Sequence, residues 1–139
     1  MTTLSCILYV SSAAGPISEA QIDHLLTRAR ARNTESNITG ILLHRNGSFM
    51  QYIEGMDDDL QRIYTNIKND PLHKGIIELL HEPIQTRAFP QWAMAYRTKN
   101  FQAFTDPDQY ALLLDPALAA GVPETSPAVG ALNAFWNGN

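Results

Sequence analysis

Gln51 is an amide in the middle of an apolar strand, on the side that should be buried. In the stretch Ser48-Phe49-Met50-Gln51-Tyr52-Ile53-Glu54-Gly55, alternation puts it on one face with Phe49 and Ile53. An unpaired buried amide costs about 1–3 kcal/mol, so Gln51 requires a partner. Two further polar groups share the inward aim. Tyr9 lies on the same face as Ile7 in the first apolar strand, and Asn33 falls on the apolar stripe of the first helix. Each has a plainer reading: a core phenol bonded to a backbone carbonyl for Tyr9, a cross-strand amide bond for Gln51, a helix C-terminal cap for Asn33. A phenol and two carboxamides directed into one small core also describe a pocket for a ligand with a polar edge.

The elements that position these residues follow from periodicity and turn chemistry. Thr3 to Val10 reads as a strand, and Ser11 to Pro16 as a turn. Ser18 followed by Gln21 forms a capping box and starts a helix. Ile22, Leu25, Leu26 and Ala29 give that helix one apolar face, and Asn33 extends it. Asn37 breaks the chain before a pair of strands, Ile38 to His44 and Ser48 to Glu54, joined by Arg45-Asn46-Gly47. Asn-Gly between two such runs predicts a tight hairpin, because both residues tolerate positive φ. Asp57, Asp58 and Asp59 favour the N-terminus of a second helix through its dipole. Leu60, Ile63, Tyr64 and Ile67 continue it, and Asn69-Asp70-Pro71 stops it. Ile76 to Glu82 is a further strand, and Trp92 to Thr98 a shorter one after Phe89-Pro90.

The order β-α-β-β-α-β-β predicts an α+β fold: a ferredoxin-like sheet with an added strand and both helices on one face. The other face, with Cys6, Leu8, Met50 and Tyr52, needs cover. Pro107 to Leu114 and Pro127 to Trp136 read as short helices able to supply it, with Val129, Leu132, Phe135 and Trp136 on one side of the second. Residues 1–98 and a helical extension over 99–139 are expected to form one globular unit.

Composition narrows the function classes. The 139 residues are 45% hydrophobic and 17% charged, as in an ordinary globular domain. A net charge of −4 gives no general nucleic-acid footprint. The one basic cluster, Arg28, Arg30 and Arg32, is either a solvated helix face or a local feature near an anionic ligand or partner. No apolar run approaches the roughly 20 residues that span a bilayer, and there is no cleavage signature, so a cytoplasmic protein without membrane contact is expected. The single Cys6 fits a reducing compartment. His24, His44, His73 and His81 form no paired i, i+4 set, so no metal site is expected, and His73 reads as a surface residue. Neither a phosphate-binding P-loop nor a Gly-x-Ser-x-Gly elbow is present.

Taken in order, Leu8-Tyr9-Val10-Ser11, Arg32-Asn33, Asn37-Ile38-Thr39-Gly40-Ile41-Leu42, Phe49-Met50-Gln51-Tyr52-Ile53-Glu54-Gly55 and Phe89-Pro90-Gln91-Trp92-Ala93-Met94 resemble the BLUF family, the blue-light sensors that hold FAD. The resemblance runs from about Leu4 to Arg97. It implies an isoalloxazine between the two helices, bound non-covalently, with Gln51 bridging Tyr9 to the flavin N5/O4 edge and Asn33 on the carbonyl edge. Arg32 stands where some relatives carry Asn or His. Ile22, Leu26, Ile38, Phe49, Ile63 and Ile67 would form the walls, and Trp92 and Met94 share strand parity, so either is a candidate neighbour of Gln51. The implied mechanism is a photocycle: Tyr9 gives up an electron and a proton, and Gln51 is left rotated or tautomerised. The residues after Thr98 are expected to house no effector domain, so the signal would pass to a separate protein or alter self-assembly. Two other readings compete, a flavin-binding reductase and a colourless ferredoxin-like interaction module.

Overall fold

A computed structural model describes residues 3–89, 93–98 and 127–137. Among the described residues, five strands and three helices follow one another as β1 (Leu4–Ala13), α1 (Glu19–Glu35), β2 (Thr39–Arg45), β3 (Ser48–Met56), α2 (Asp57–Lys68), β4 (His73–Pro83), β5 (Ala95–Thr98) and α3 (Pro127–Asn137). The sheet order is β4-β1-β3-β2-β5. The first four strands pair antiparallel, and β5 joins β2 in parallel at the edge. This is the ferredoxin-like arrangement with its extra strand.

Local chemistry sets most of the boundaries. Ser18 caps α1, with both reciprocal bonds of the capping box made to Gln21. Asn46 and Gly47 take the φ values of 51° and 77° that the two-residue hairpin demands. Asn37 also sits at positive φ, 56°, where α1 gives way to β2. Gly40 permits the closest approach of β2 to β3: a Cβ there would lie 2.0 Å from the Tyr52 carbonyl oxygen. The strand β4 starts three residues before the predicted Ile76 and β5 three after the predicted Trp92. Backbone pairing with β1 and β2, rather than side-chain pattern, decides those ends.

Strand alternation divides the interior into two cores. Ile7, Tyr9, Leu42, Phe49 and Ile53 face α1 and α2, meeting Ile22, Leu26, Leu60, Ile63 and Ile67. Cys6, Leu8, Ile41, Leu43, Met50 and Tyr52 point the other way and are covered by Ala128 and Leu132 of α3. Each fully buried aliphatic side chain contributes about 1.5–3 kcal/mol, which fixes the strand faces against slippage. The C-terminal cover predicted for the far face is therefore met by α3. The predicted helix at 107–114 and Trp92 lie outside the described residues, as do the side chains of Val129 and Trp136.

Candidate functional site

Register brings the polar residues together. Tyr9 of β1 and Leu42 of β2 both pair with Gln51 of β3, and Tyr96 of β5 pairs with Leu42. One row of side chains thus crosses four strands beneath the helices. Tyr9 is 2% exposed and Gln51 5% exposed. The Tyr9 hydroxyl donates to Gln51 Oε1. Gln51 Nε2 donates in turn to the Met94 sulfur at 3.4 Å. The amide is held from both ends, by a phenol and a thioether. Sulfur is a weak acceptor, so the second contact is the softer one.

Asn33 is fully buried within α1, and Ser36 rather than Asn33 caps the helix. The C-terminal-cap reading is thereby replaced. Asn33 Nδ2 donates to the Ala93 carbonyl at 2.7 Å, while Oδ1 is buried with no partner among the described residues. Arg32 Nε is in the same state. Two unsatisfied buried polar atoms on adjacent residues are uncommon in a finished core, and together they outline a polar edge for a ligand. A cleft of about 850 Å³ opens between α1 and α2, lined by Leu25, Arg28, Ala29 and Arg32 on one side and by Asn66, Asn69, Asp70 and Leu72 on the other. That volume suits a bound organic molecule.

The apolar residues named from sequence pack together in the core, and none of them is among the residues lining that cleft. Ile22, Leu26, Ile38, Phe49, Ile63 and Ile67 belong to one cluster with Tyr9 and Met94. Met94 is buried and touches Gln51. The surface reading of His73 is corrected: it is half-buried at the start of β4, with Nε2 against the Ile67 carbonyl at 2.7 Å and Nδ1 against Ser11 Oγ at 2.8 Å. A carbonyl only accepts, so Nε2 carries the proton. The ring lies 6.0 Å from that of Tyr9. A single polar letter at the start of a strand gave no sign of this double tether.

Three residues escaped sequence reasoning. Arg30 Nε donates to the Met94 carbonyl at 2.9 Å, so the middle member of the basic cluster serves the far strand. Glu54 is fully buried on the α3 side, and Arg87 reaches its carbonyl. For Glu54 a signal existed: an acid at the same strand parity as the apolar Met50 and the aromatic Tyr52.

Burial dominates the electrostatics. It pushes the Tyr9 and Tyr52 phenols well above their ordinary range and the Tyr64 phenol up to about 12, with the Glu78 carboxylate a lesser cause at Tyr64. It pulls the Arg32 guanidinium and the His44 imidazole down. A test follows for the tyrosines, of which the chain has five. At about pH 11 the folded protein should keep Tyr9, Tyr52 and Tyr64 protonated, whereas the unfolded chain loses those protons near pH 10. The native state then binds more protons than the unfolded one, so stability should fall as pH rises above about 10. Tyrosinate absorbance with denaturant midpoints checks both. All five phenols titrating together, with constant stability, would contradict the buried placement.

The family described as sensors of blue-light using FAD matches residues 4–95. The photoactivated adenylate cyclase subunit beta of Euglena gracilis is 35% identical over 112 residues, covering 80% of this chain and 13% of that protein. The dark-state structure of BlrB, a BLUF protein, aligns with a TM-score of 0.72 at 29% identity, over 94% of this chain and 92% of BlrB. Klebsiella pneumoniae BlrP1, solved with FMN and cyclic diGMP, aligns with a TM-score of 0.76 at 25% identity, over 95% of this chain and 34% of that one. The chain spans about an eighth of the cyclase subunit it matches. No helix among the described residues is long and apolar enough to cross a membrane.

Proposed function

The chain belongs to the family of sensors of blue light using FAD, and on that premise we propose that it is a photoreceptor binding FAD non-covalently between α1 and α2. The observation that carries this reading is the Gln51 amide, held between the Tyr9 hydroxyl and the Met94 sulfur beside the unsatisfied Asn33 Oδ1 and Arg32 Nε. An imide edge offers a carbonyl, an N–H and a second carbonyl. Asn33 Oδ1 would accept from that N–H, and the second Nδ2 hydrogen and Arg32 Nε would donate to the carbonyls. Ile22, Leu26, Ile38, Phe49, Ile63 and Ile67 would exclude water from the ring. Residues 1–98 form the binding unit in this reading, with 99–139 as its extension.

When bound, the flavin supplies blue-light absorption and an excited state that accepts an electron. Tyr9 holds its proton at the hydroxyl, kept there by burial and aimed at Gln51 Oε1. Gln51 is the movable part. Turning the amide breaks both the bond accepted from Tyr9 and the weak contact to sulfur and presents Nε2 to the Tyr9 oxygen, and tautomerisation gives the same exchange of donor and acceptor. A rearranged hydrogen bond is worth on the order of 1 kcal/mol, enough to shift a two-state equilibrium several-fold. Met94 senses the change directly and passes it to β5, and α3 on the opposite core is the exit.

The cyclase named among the relatives is a far longer protein, and the residues that match the family are read as a sensor rather than as an enzyme. Its output goes to a separate effector protein or to self-association, in the cytoplasm. The decisive measurement is a visible spectrum of protein purified with FAD, before and after blue illumination. Bound flavin with a small red shift that decays in the dark is expected. A colourless protein, or flavin that turns over a nicotinamide in the dark without any shift, sinks the reading.

A further inference from the structure

The photosensory reading leaves one buried carboxylate without a role. Glu54 alternates with Gln51 and Ile53 in β3, so it lies on the far face of the sheet, fully buried. Both of its oxygens are engaged. Phe89 N–H donates to Oε1 at 2.6 Å, Ala88 N–H to Oε2 at 2.8 Å, and the Tyr52 hydroxyl to Oε2 at 3.0 Å. Arg87 fastens the same stretch from outside. Its Nη1 donates to Thr39 Oγ1 at 2.9 Å and to the Glu54 carbonyl at 3.1 Å, and its Nη2 to the Asn37 carbonyl at 2.7 Å. Three consecutive residues, 87 to 89, are therefore tied to one end of the β2–β3 hairpin.

Burying a carboxylate is costly, and an apolar side chain would fill the space as well. Burial indeed pushes the Glu54 carboxyl above its usual range, with the Phe89 and Ala88 N–H groups opposing. What an apolar residue would not do is fix two backbone N–H groups in direction. That matters because Met94 follows Phe89 by only five positions. Ala93 and Met94 meet Asn33 and Arg30 through their carbonyls, and the Met94 sulfur meets Gln51. From Ala95 onward the chain is in register with β2. Five residue steps span at most about 17 Å, so the anchors at Phe89 and at Met94 bound one another's range.

We propose that Glu54, with Arg87, is the positioning residue that sets the Met94 sulfur against the Gln51 amide and couples that amide to the face covered by α3. The coupling has a physical route. Phe89, whose N–H Glu54 holds, stands edge-on to Tyr52 with ring centroids 5.6 Å apart, and both belong to the cluster containing Ala128 and Leu132 of α3. A change at Met94 is thus felt by the residues on which α3 rests. This inference rests on the assignment of Gln51 as the light-responsive group.

The test uses Glu54→Gln and Arg87→Ala in the full chain, with flavin bound, labelled with ¹³C-methyl methionine. The chain has four methionines, and Met94→Leu identifies the signal that matters. An amide at position 54 offers one acceptor where two N–H donors wait, so one of them loses its partner. Glu54→Gln should keep flavin and the red shift, move the Met94 methyl resonance towards that of the exposed Met56, and speed dark recovery by about tenfold. Arg87→Ala should act in the same direction less strongly, and decides the matter if Glu54→Gln does not fold. A merely structural role would lower the melting temperature without singling out Met94. Met94 signals at their wild-type position in the folded variants overturn the proposal, whatever the recovery rate. If wild-type protein shows no red shift, the photosensory reading falls while the methyl signal still reports whether Glu54 positions Met94.

Discussion

Gln51→Leu protein should bind flavin and show no reversible red shift on blue illumination. Leucine matches the apolar face that Gln51 shares with Phe49 and Ile53, and it fills most of the same volume, so the slot between the helices is kept. What disappears is the amide, which presents an acceptor to Tyr9 and a donor to Met94 and can interchange the two. Tyr9 loses the oxygen it donates to, and Met94 loses its N–H neighbour. Leaving the Tyr9 hydroxyl buried without a partner costs about 1–3 kcal/mol, partly offset by the apolar gain of leucine. A lower melting temperature with full flavin occupancy is therefore expected, together with a light-minus-dark difference spectrum that is flat. A difference spectrum of wild-type shape in this variant would remove Gln51 from the mechanism.

Tyr9→Phe should give the same spectral silence by a different route. The ring is retained, so the contacts with Tyr64 at 5.7 Å and His73 at 6.0 Å persist and the core stays filled. Only the hydroxyl is removed. Gln51 Oε1 then lacks its donor, with a stability loss of about 1 kcal/mol. The amide remains free to turn, but nothing supplies the proton that Tyr9 holds. Flavin absorption and fluorescence should report a normal occupancy, and the red shift should fall below detection. A photocycle of ordinary amplitude would mean that Tyr9 only supports the core. The two variants separate their roles through stability: Tyr9→Phe leaves an acceptor unpaired and Gln51→Leu a donor, and the buried donor is the costlier of the two.

The exchange proposed at Gln51 is small in energy, and the architecture is suited to that scale. Met94 and Ala93 are held through their carbonyls by Arg30 and Asn33, so the segment leading into β5, which carries the sulfur, has fixed points on α1. The sulfur itself is the softest partner in the set. A change of hydrogen bonding at Gln51 is therefore expressed first at Met94 rather than dissipated through the helices.

Much of this is legible in the sequence. The inward aim of Tyr9, Gln51 and Asn33 came from alternation and helical spacing, and all three proved buried. The capping box at Ser18 and the Asn46-Gly47 hairpin followed from the chemistry of adjacent residues, and both formed as expected. Other features were not legible. Asn33 has the sequence signature of a helix end, yet α1 continues to Glu35 because Ser36 supplies the cap. His73 looks like an isolated surface histidine until Ser11 and Ile67, distant in sequence or on another element, are brought beside it. Arg30 and Arg87 read as ordinary charges, since nothing in their neighbourhood along the chain names the carbonyls they bind.

The chain's own pattern of apolar and polar letters determined which residues turn inward and where most of the described strands and helices begin. Those properties depend on interactions within a few residues, which composition and spacing encode directly. Tertiary structure alone decided the partners: that Tyr9 faces Gln51 in one cross-strand row, that Met94 supplies the sulfur beside the amide, and that Glu54 holds the stretch leading to it. These pairs join residues 34 to 43 positions apart, and their choice rests on sheet order and register, which no local window contains.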